Sequence, residues 1–153
     1  MSDETHTPQL VVFTLAGEQY ALPIQRVQEI IRYTAPRPVA SRVDWVQGVI
    51  SLRGRIVPVY DLASRLGVAS EANERSTIVI VETETDTVGV IVDAVEEVLT
   101  ISREQIEPVP CADSSLVDSI AKIDDRLVVL LEPTTVFAGV EETGGSELLA
   151  DAA

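Results

Sequence analysis

Apolar residues fall in short runs, each closed by a glycine, a proline or a polar cluster, and none runs on as a long helical stripe. Leu10–Leu15 (LVVFTL) is rich in β-branched and aromatic residues. Ala16-Gly17-Glu18 turns and Gln19–Leu22 returns, which predicts a hairpin. Pro23 opens the stretch IQRVQEII, where Ile24, Val27 and Ile31 recur at helical spacing with Ile30 beside them, so a short helix is expected there. Pro36 and Pro38 punctuate the connection from Tyr33 to Asp44. Trp45 then precedes GVISLRGRIVPVYDLASRLG, Gly48–Gly67, the stretch around which the chain is organised. Val49–Leu52 and Arg55–Tyr60 are expected strands. Between them Arg53-Gly54 is a tight reversal in which glycine takes a positive φ without steric cost. Asp61 stands where an N-cap belongs, ahead of the turn LASRLG, and Gly67 where a C′ residue belongs. One guanidinium, Arg53, is thereby held out at the tip of an apolar ribbon. Val68–Ser76 is a polar loop.

The second half repeats the first. Shifted by 68 residues, LVVFTLAGEQYALPIQRVQEII falls on IVIVETETDTVGVIVDAVEEVL without a gap, so that Val27 meets Val95 and Glu29 meets Glu97. Shifted by 71, GVISLRGRIVPVYDL falls on SIAKIDDRLVVLLEP; the tip Arg53-Gly54 becomes Asp124-Asp125, and Arg55 meets Arg126. Two copies of one β-rich unit of roughly 60 residues follow. So small a unit buries its strands best by curling into a barrel and packing on its twin. The expected fold is all-β, two small antiparallel barrels spanning about 10–67 and 78–137 within one domain, 10–138. Residues 1–9 read as a disordered tail and 139–153 as a flexible acidic one in which Leu148-Leu149 can dock a last turn. Ser102-Arg103-Glu104-Gln105 is a capping-box pattern for a short helical turn, Glu107–Asp118 a loop, and Thr134–Phe137 a helical candidate.

Charge narrows the function. The 153 residues include 25 acidic against 11 basic side chains, a formal net charge of −14, and Lys122 is the only lysine. Such a surface repels phosphate backbones and anionic bilayers, and 4% aromatic residues leave little for base stacking. The start, MSDETHTPQ, has neither a basic segment nor an apolar run, so no signal peptide is expected. No apolar run approaches a transmembrane length. The single cysteine, Cys111, fits a reducing cytosol and has no histidine partner for nucleophilic work. The one histidine, His6, lies in the tail, which leaves the domain without a histidine base or a zinc site. No GxGxxG or Walker sequence is present. Asp93, Glu96 and Glu97, and the pair Asp124-Asp125, read as solvated acids on turns. No catalytic constellation, cofactor cradle or metal-ligand set emerges, and no enzyme activity is expected.

With these residues in view, FTLAGEQYALPIQRVQEII, GVISLRGRIVPVYDLASRLG and VGVIVDAVEEVLTISREQIEPVP together resemble the CheW-like domain family of chemotaxis, with a weaker match at LVVLLEPTTVF. The likeness covers nearly all of Leu10 to Phe137. The family's central pattern is G-x-x-N-L-R-G-x-x-x-P-V-x-D-L, and Ser51 stands here where asparagine is usual. The resemblance implies two five-stranded SH3-like barrels and a non-enzymatic, cytoplasmic adaptor. Such an adaptor would bridge the tip of a methyl-accepting chemotaxis receptor to the regulatory domain of the histidine kinase CheA in receptor arrays, without entering the membrane or binding nucleic acid. It implies no cofactor, and a stand-alone adaptor is the expected form. By matching motif positions, the receptor-facing residues are Val27, Glu29, Gly48 and Arg53, and the kinase contact is expected on the second barrel at residues the resemblance does not place. Val27 equally suits burial beside Ile24 and Ile31. Gly48 suits either a close approach by a partner or one by a neighbouring strand. Arg53 offers a planar fork for carboxylates or main-chain carbonyls on a partner helix. The competing reading is a small β-barrel module for a ligand or nucleic acid.

Overall fold

The computed structural model describes residues 9–41, 44–83, 86–109, 117–133 and 136. Eleven strands follow one another: β1 (Gln9–Leu15), β2 (Glu18–Pro23), β3 (Val27–Arg32), β4 (Val46–Leu52), β5 (Arg55–Asp61), β6 (Thr77–Glu82), β7 (Thr87–Val92), β8 (Ala94–Thr100), β9 (Ile106–Glu107), β10 (Val117–Ile123) and β11 (Arg126–Leu131). A short α-helix, α1 (Leu62–Leu66), follows β5. Single 3-10 turns, Ile24–Arg26 and Arg103–Gln105, precede β3 and β9. Apart from Gln9, which opens β1, the expected tails lie outside the described residues. So does most of Thr134–Phe137, though Val136 N donates to Glu132 O at 2.9 Å, a helical bond.

The expected helix over IQRVQEII is a strand for most of its length. Only Ile24–Arg26 winds, for a single 3-10 turn, and Val27–Arg32 runs as β3 with alternating half-buried and exposed residues. The β-branched Val27, Ile30 and Ile31 and an open neighbour, β6, favour the ladder, and the eight residues of IQRVQEII are too few for an isolated helix to persist. Around Gly48–Gly67 the expectations hold. Arg53 and Gly54 both have positive φ (52° and 82°), the geometry of a two-residue hairpin turn. The Asp61 carboxylate accepts from Ser64 at the start of α1, and Gly67 closes it. Ser102 N donates to Gln105 Oε1 at 2.8 Å, as a capping box requires.

The strands form two sheets, in the orders β3-β6-β7-β5-β4 and β8-β1-β2-β11-β10-β9. Neither barrel is therefore a contiguous segment, 10–67 or 78–137, as the repeat alone suggested. The β1–β2 hairpin pairs with β8 and β11, and the β6–β7 hairpin with β3 and β5. Nor are the sheets wholly antiparallel, since β5 runs parallel to β7, and β11 to β2. The physical reason is burial: β6 sends Ile78 and Ile80 to one core and Val79 and Val81 to another, and a hairpin apolar on both faces must be covered on both. Inserted into the other unit's sheet, it is.

The repeat survives in register. Leu10↔Pro23 in β1–β2 corresponds to Ile78↔Ile91 in β6–β7, and Leu52↔Arg55 to Ile123↔Arg126. The register shifts recur as well, at Gln28 and Glu96 and again at Gln47 and Asp118. Beyond β3 the chain reaches across to β4, where Arg37 and Val49 exchange main-chain bonds at 2.8 and 2.9 Å; β9 does the same for β10. These reaches close the sheets into barrels. Ile50, Val57, Val59, Ile78, Ile80 and Ile91 fill one interior. Leu10, Val12, Ala21, Ala121, Val128 and Leu130 help fill the other. Between them lies the largest core, built by Phe13, Tyr20, Leu22, Tyr60, Leu62, Val79, Val90 and Leu131 among others.

Candidate functional site

The β4–β5 turn brings Arg53 over β3. Its guanidinium grips Glu29 with both terminal nitrogens: Nη1 bonds Oε2, and Nη2 bonds Oε1 at 2.9 Å. This is the fork-to-carboxylate arrangement that a lysine cannot reproduce. The Arg53 side chain is 71% exposed and that of Glu29 24%. The Arg53 hydrogen bond holds the Glu29 carboxyl below the usual glutamate range, partial desolvation opposes it, and the arginine's charge adds to the lowering. The same bond and charge push the Arg53 guanidinium further up. The fork expected to await a partner's carboxylate is thus already filled from within, and the exposed feature is a preformed ion pair.

Glu29 and Arg53 meet, while Val27 and Gly48 stand apart in framework positions. Val27, displaced by the bulge at Gln28, packs half-buried against the central core, and its twin Val95 does likewise. Gly48 has φ 149°, and a Cβ there would lie 2.1 Å from Arg37 O and 2.6 Å from Arg37 C. Its glycine is therefore accounted for by the crossing chain at Arg37-Pro38, the close approach of a neighbouring strand.

The second unit carries its own pair. Arg126 Nη1 bonds Glu97 Oε2 at 2.8 Å and approaches Gln19 Oε1 at 3.5 Å. The acid occupies the twin of the Glu29 position, but the base comes from the twin of Arg55, because the tip now holds Asp124 and Asp125. Glu97 is thus paired and not simply solvated. Asp93 is also engaged, accepting from Ala16 N at 2.9 Å and Ser70 Oγ at 2.7 Å. Nearer α1, the Trp45 ring meets Tyr60 edge-on at 5.5 Å, Arg65 lies 4.7 Å over Trp45, and Arg65 Nε donates to Val136 O at 2.7 Å.

Four of the five large exposed apolar side chains among the described residues come as twins, Ile30 with Val98 and Ile56 with Leu127; Val39 stands outside the pattern. The helical spacing of IQRVQEII hides the outward position of Ile30 in the sequence. The outward positions of the strand RIVPVY, where Val57 and Val59 point in, carried the signal for Ile56. Among the described residues no group of three or more His, Cys, Asp or Glu could hold a metal ion, and no helix is long and apolar enough to cross a membrane.

Two interleaved β-barrels with exposed hairpin tips, ion pairs and matched apolar side chains have the double SH3-like architecture. The family model of the CheW-like domain matches residues 9–141. Chemotaxis protein CheW of Rhizobium meliloti (strain 1021) is 33% identical over 138 residues, covering 87% of this chain and 89% of that one. Chemotaxis protein CheW of Klebsiella aerogenes is 31% identical over 146 residues, covering 92% and 88%. The crystal structure of the scaffolding protein TtCheW from Thermoanaerobacter tengcongensis superposes with a TM-score of 0.80 at 36% identity, over 86% of this chain and 93% of that one. The chain belongs to the CheW-like family of chemotaxis scaffold and coupling proteins.

Proposed function

We propose that this chain acts in the cytoplasm, at membrane-associated arrays, as a non-catalytic adaptor that couples methyl-accepting chemotaxis receptors to the histidine kinase CheA. Membership in the family supports the class of role. The observation that carries the receptor side is the Glu29–Arg53 pair, rigid because bidentate and exposed because it caps a hairpin tip. A receptor helix laid along this end of the first barrel meets a guanidinium with its far edge free to donate and a carboxylate already oriented. In this reading Glu29 and Arg53 contact the receptor, whereas Val27 and Gly48 shape the surface from below. The kinase's regulatory domain docks on the second barrel. No cofactor or metal takes part, and a net charge of −14 disfavours nucleic acid as the partner.

The test is a titration of a receptor signalling tip and of the CheA regulatory domain against the purified protein, with a nucleic-acid shift assay beside it. Micromolar or tighter binding of both proteins, and none of nucleic acid, is expected. Failure to bind either protein would overturn the proposal.

A further inference from the structure

Each half of the chain leaves a vacancy in its own sheet. β3 and β5 belong to the first half, yet they are kept apart by β6 and β7, with β6 antiparallel to β3 and β7 parallel to β5. The second half leaves the same opening between β8 and β11, filled by β1 antiparallel to β8 and β2 parallel to β11. Without its inserted hairpin, each half would show two open strand edges and bare one face of the central core. The inserted hairpins are apolar on both faces, with Val79, Ile80, Val88 and Val90 fully buried. Such a hairpin alone would expose both faces to water. Only Val68–Ser76 joins the halves, and it contributes little: Val68 packs at the edge of the core and Ser70 bonds Asp93.

We infer that the two halves, 9–67 and 77–136, are obligate binding partners, each a specific receptor for the other's hairpin, and that the covalent link between them is dispensable once they have met. The slot has defined chemistry. It takes a two-stranded, doubly apolar hairpin, antiparallel on one side and parallel on the other. At Gly89 the packing is close: a Cβ there would come 3.1 Å from Ile78 of the same hairpin and 3.4 Å from Val59 of the slot. The interface is the fold itself, four ladders and the central core, so the halves should hold each other without the peptide bond.

The experiment uses the whole chain with a protease recognition sequence inserted between Glu71 and Ala72, which spares the Ser70–Asp93 bond and the Asn73–Ser76 turn. The folded protein is cut and passed over a sizing column in native buffer. The two pieces are expected to elute together at the mass of the uncut chain. They should melt in one transition whose midpoint falls on dilution, whereas that of the uncut chain does not. Separated in denaturant, the pieces should regain the native spectrum only when mixed, and at equal stoichiometry. Elution of the pieces apart at micromolar concentration would overturn the inference, as would a cooperative melt from either piece by itself.

Discussion

Replacing Gly48 by alanine should damage the first barrel at one identifiable place. The new Cβ would sit 2.1 Å from Arg37 O, 2.6 Å from Arg37 C and 3.0 Å from Pro38 Cα. All three atoms are main chain, so no side-chain rotation relieves the overlap. Arg37 must withdraw by about an ångström to restore ordinary contact, and that breaks its paired bonds with Val49, now 2.8 and 2.9 Å. Two net main-chain bonds are worth roughly 2 kcal/mol, and holding alanine at this φ costs about 1–3 kcal/mol more. A loss of about 3–5 kcal/mol is a large part of the stability of a domain of this size, and at roughly 3 °C per kcal/mol it lowers the melting temperature by about 10 °C. Thermal and denaturant melts measure it, and amide exchange at Val49 locates it. A variant that melts within about 2 °C of the parent would refute the reasoning, and the glycine would then need a partner to explain it. The twin position holds a buried serine, Ser119, so the demand for glycine belongs to the Arg37–Pro38 crossing and not to the repeat.

Arg53→Ala should leave the melting temperature close to that of the parent, as changes at exposed positions do, yet weaken receptor-tip binding roughly thirtyfold; Arg53→Lys should recover part, and CheA binding should survive both. Unchanged receptor affinity in isothermal titration would remove Arg53 from the interface. The Glu29 carboxyl has a depressed pKa, so its pairing stabilises the fold throughout the range above the ordinary glutamate value and is lost as pH falls through the lower, folded-state value. A carboxyl NMR titration should show Glu29 titrating below ordinary glutamates and returning to their range in Arg53→Ala; equal curves in both proteins would contradict the pairing. Arg65→Ala should cost about 1–2 kcal/mol through the lost stacking on Trp45 and the orphaned Val136 carbonyl, and should shift the emission of Trp45, the only tryptophan. An unaltered spectrum would mean that the two side chains do not meet in solution.

Much of the fold was legible because its signals are local or periodic. The repeat at 68 and 71 residues foretold twin hairpins whose registers match, and Arg53-Gly54, Asp61 and Gly67 marked a turn, a cap and a stop. What stayed hidden is not local. Nothing in LVVFTL or IVIVE says which sheet will accept the hairpin, since insertion into the sister unit's sheet or its own satisfies the same apolar pattern. IQRVQEII carries its apolar residues at helical and not at alternating spacing, with Glu29 on the half-buried side of β3 and Ile30 exposed, so the pattern pointed away from the strand and the open edge of β6 decided for it. At the site, the importance of Arg53 could be inferred from its motif, but its partner could not: Glu29 lies 24 residues away and is brought close only by barrel closure. Gly48 was open between two explanations until Arg37 was seen crossing it. Glu97 and Asp93 looked like idle surface acids because their partners, Arg126, Ala16 and Ser70, are likewise distant in sequence.

The interleaving of the hairpins also has a mechanical consequence. β6 and β7 are at once wall strands of one barrel and the floor of the core that supports the other, and β1 and β2 play the reciprocal part. A twist applied at the Arg53 turn is expected to pass through β5 into β7, which pairs with it, and from there into the central core shared with β1 and β2. The expected behaviour is that of a stiff bracket. Whatever is held at the β4–β5 tip and whatever is held at the β10–β11 tip keep a set angle and spacing, and turning one requires turning the other.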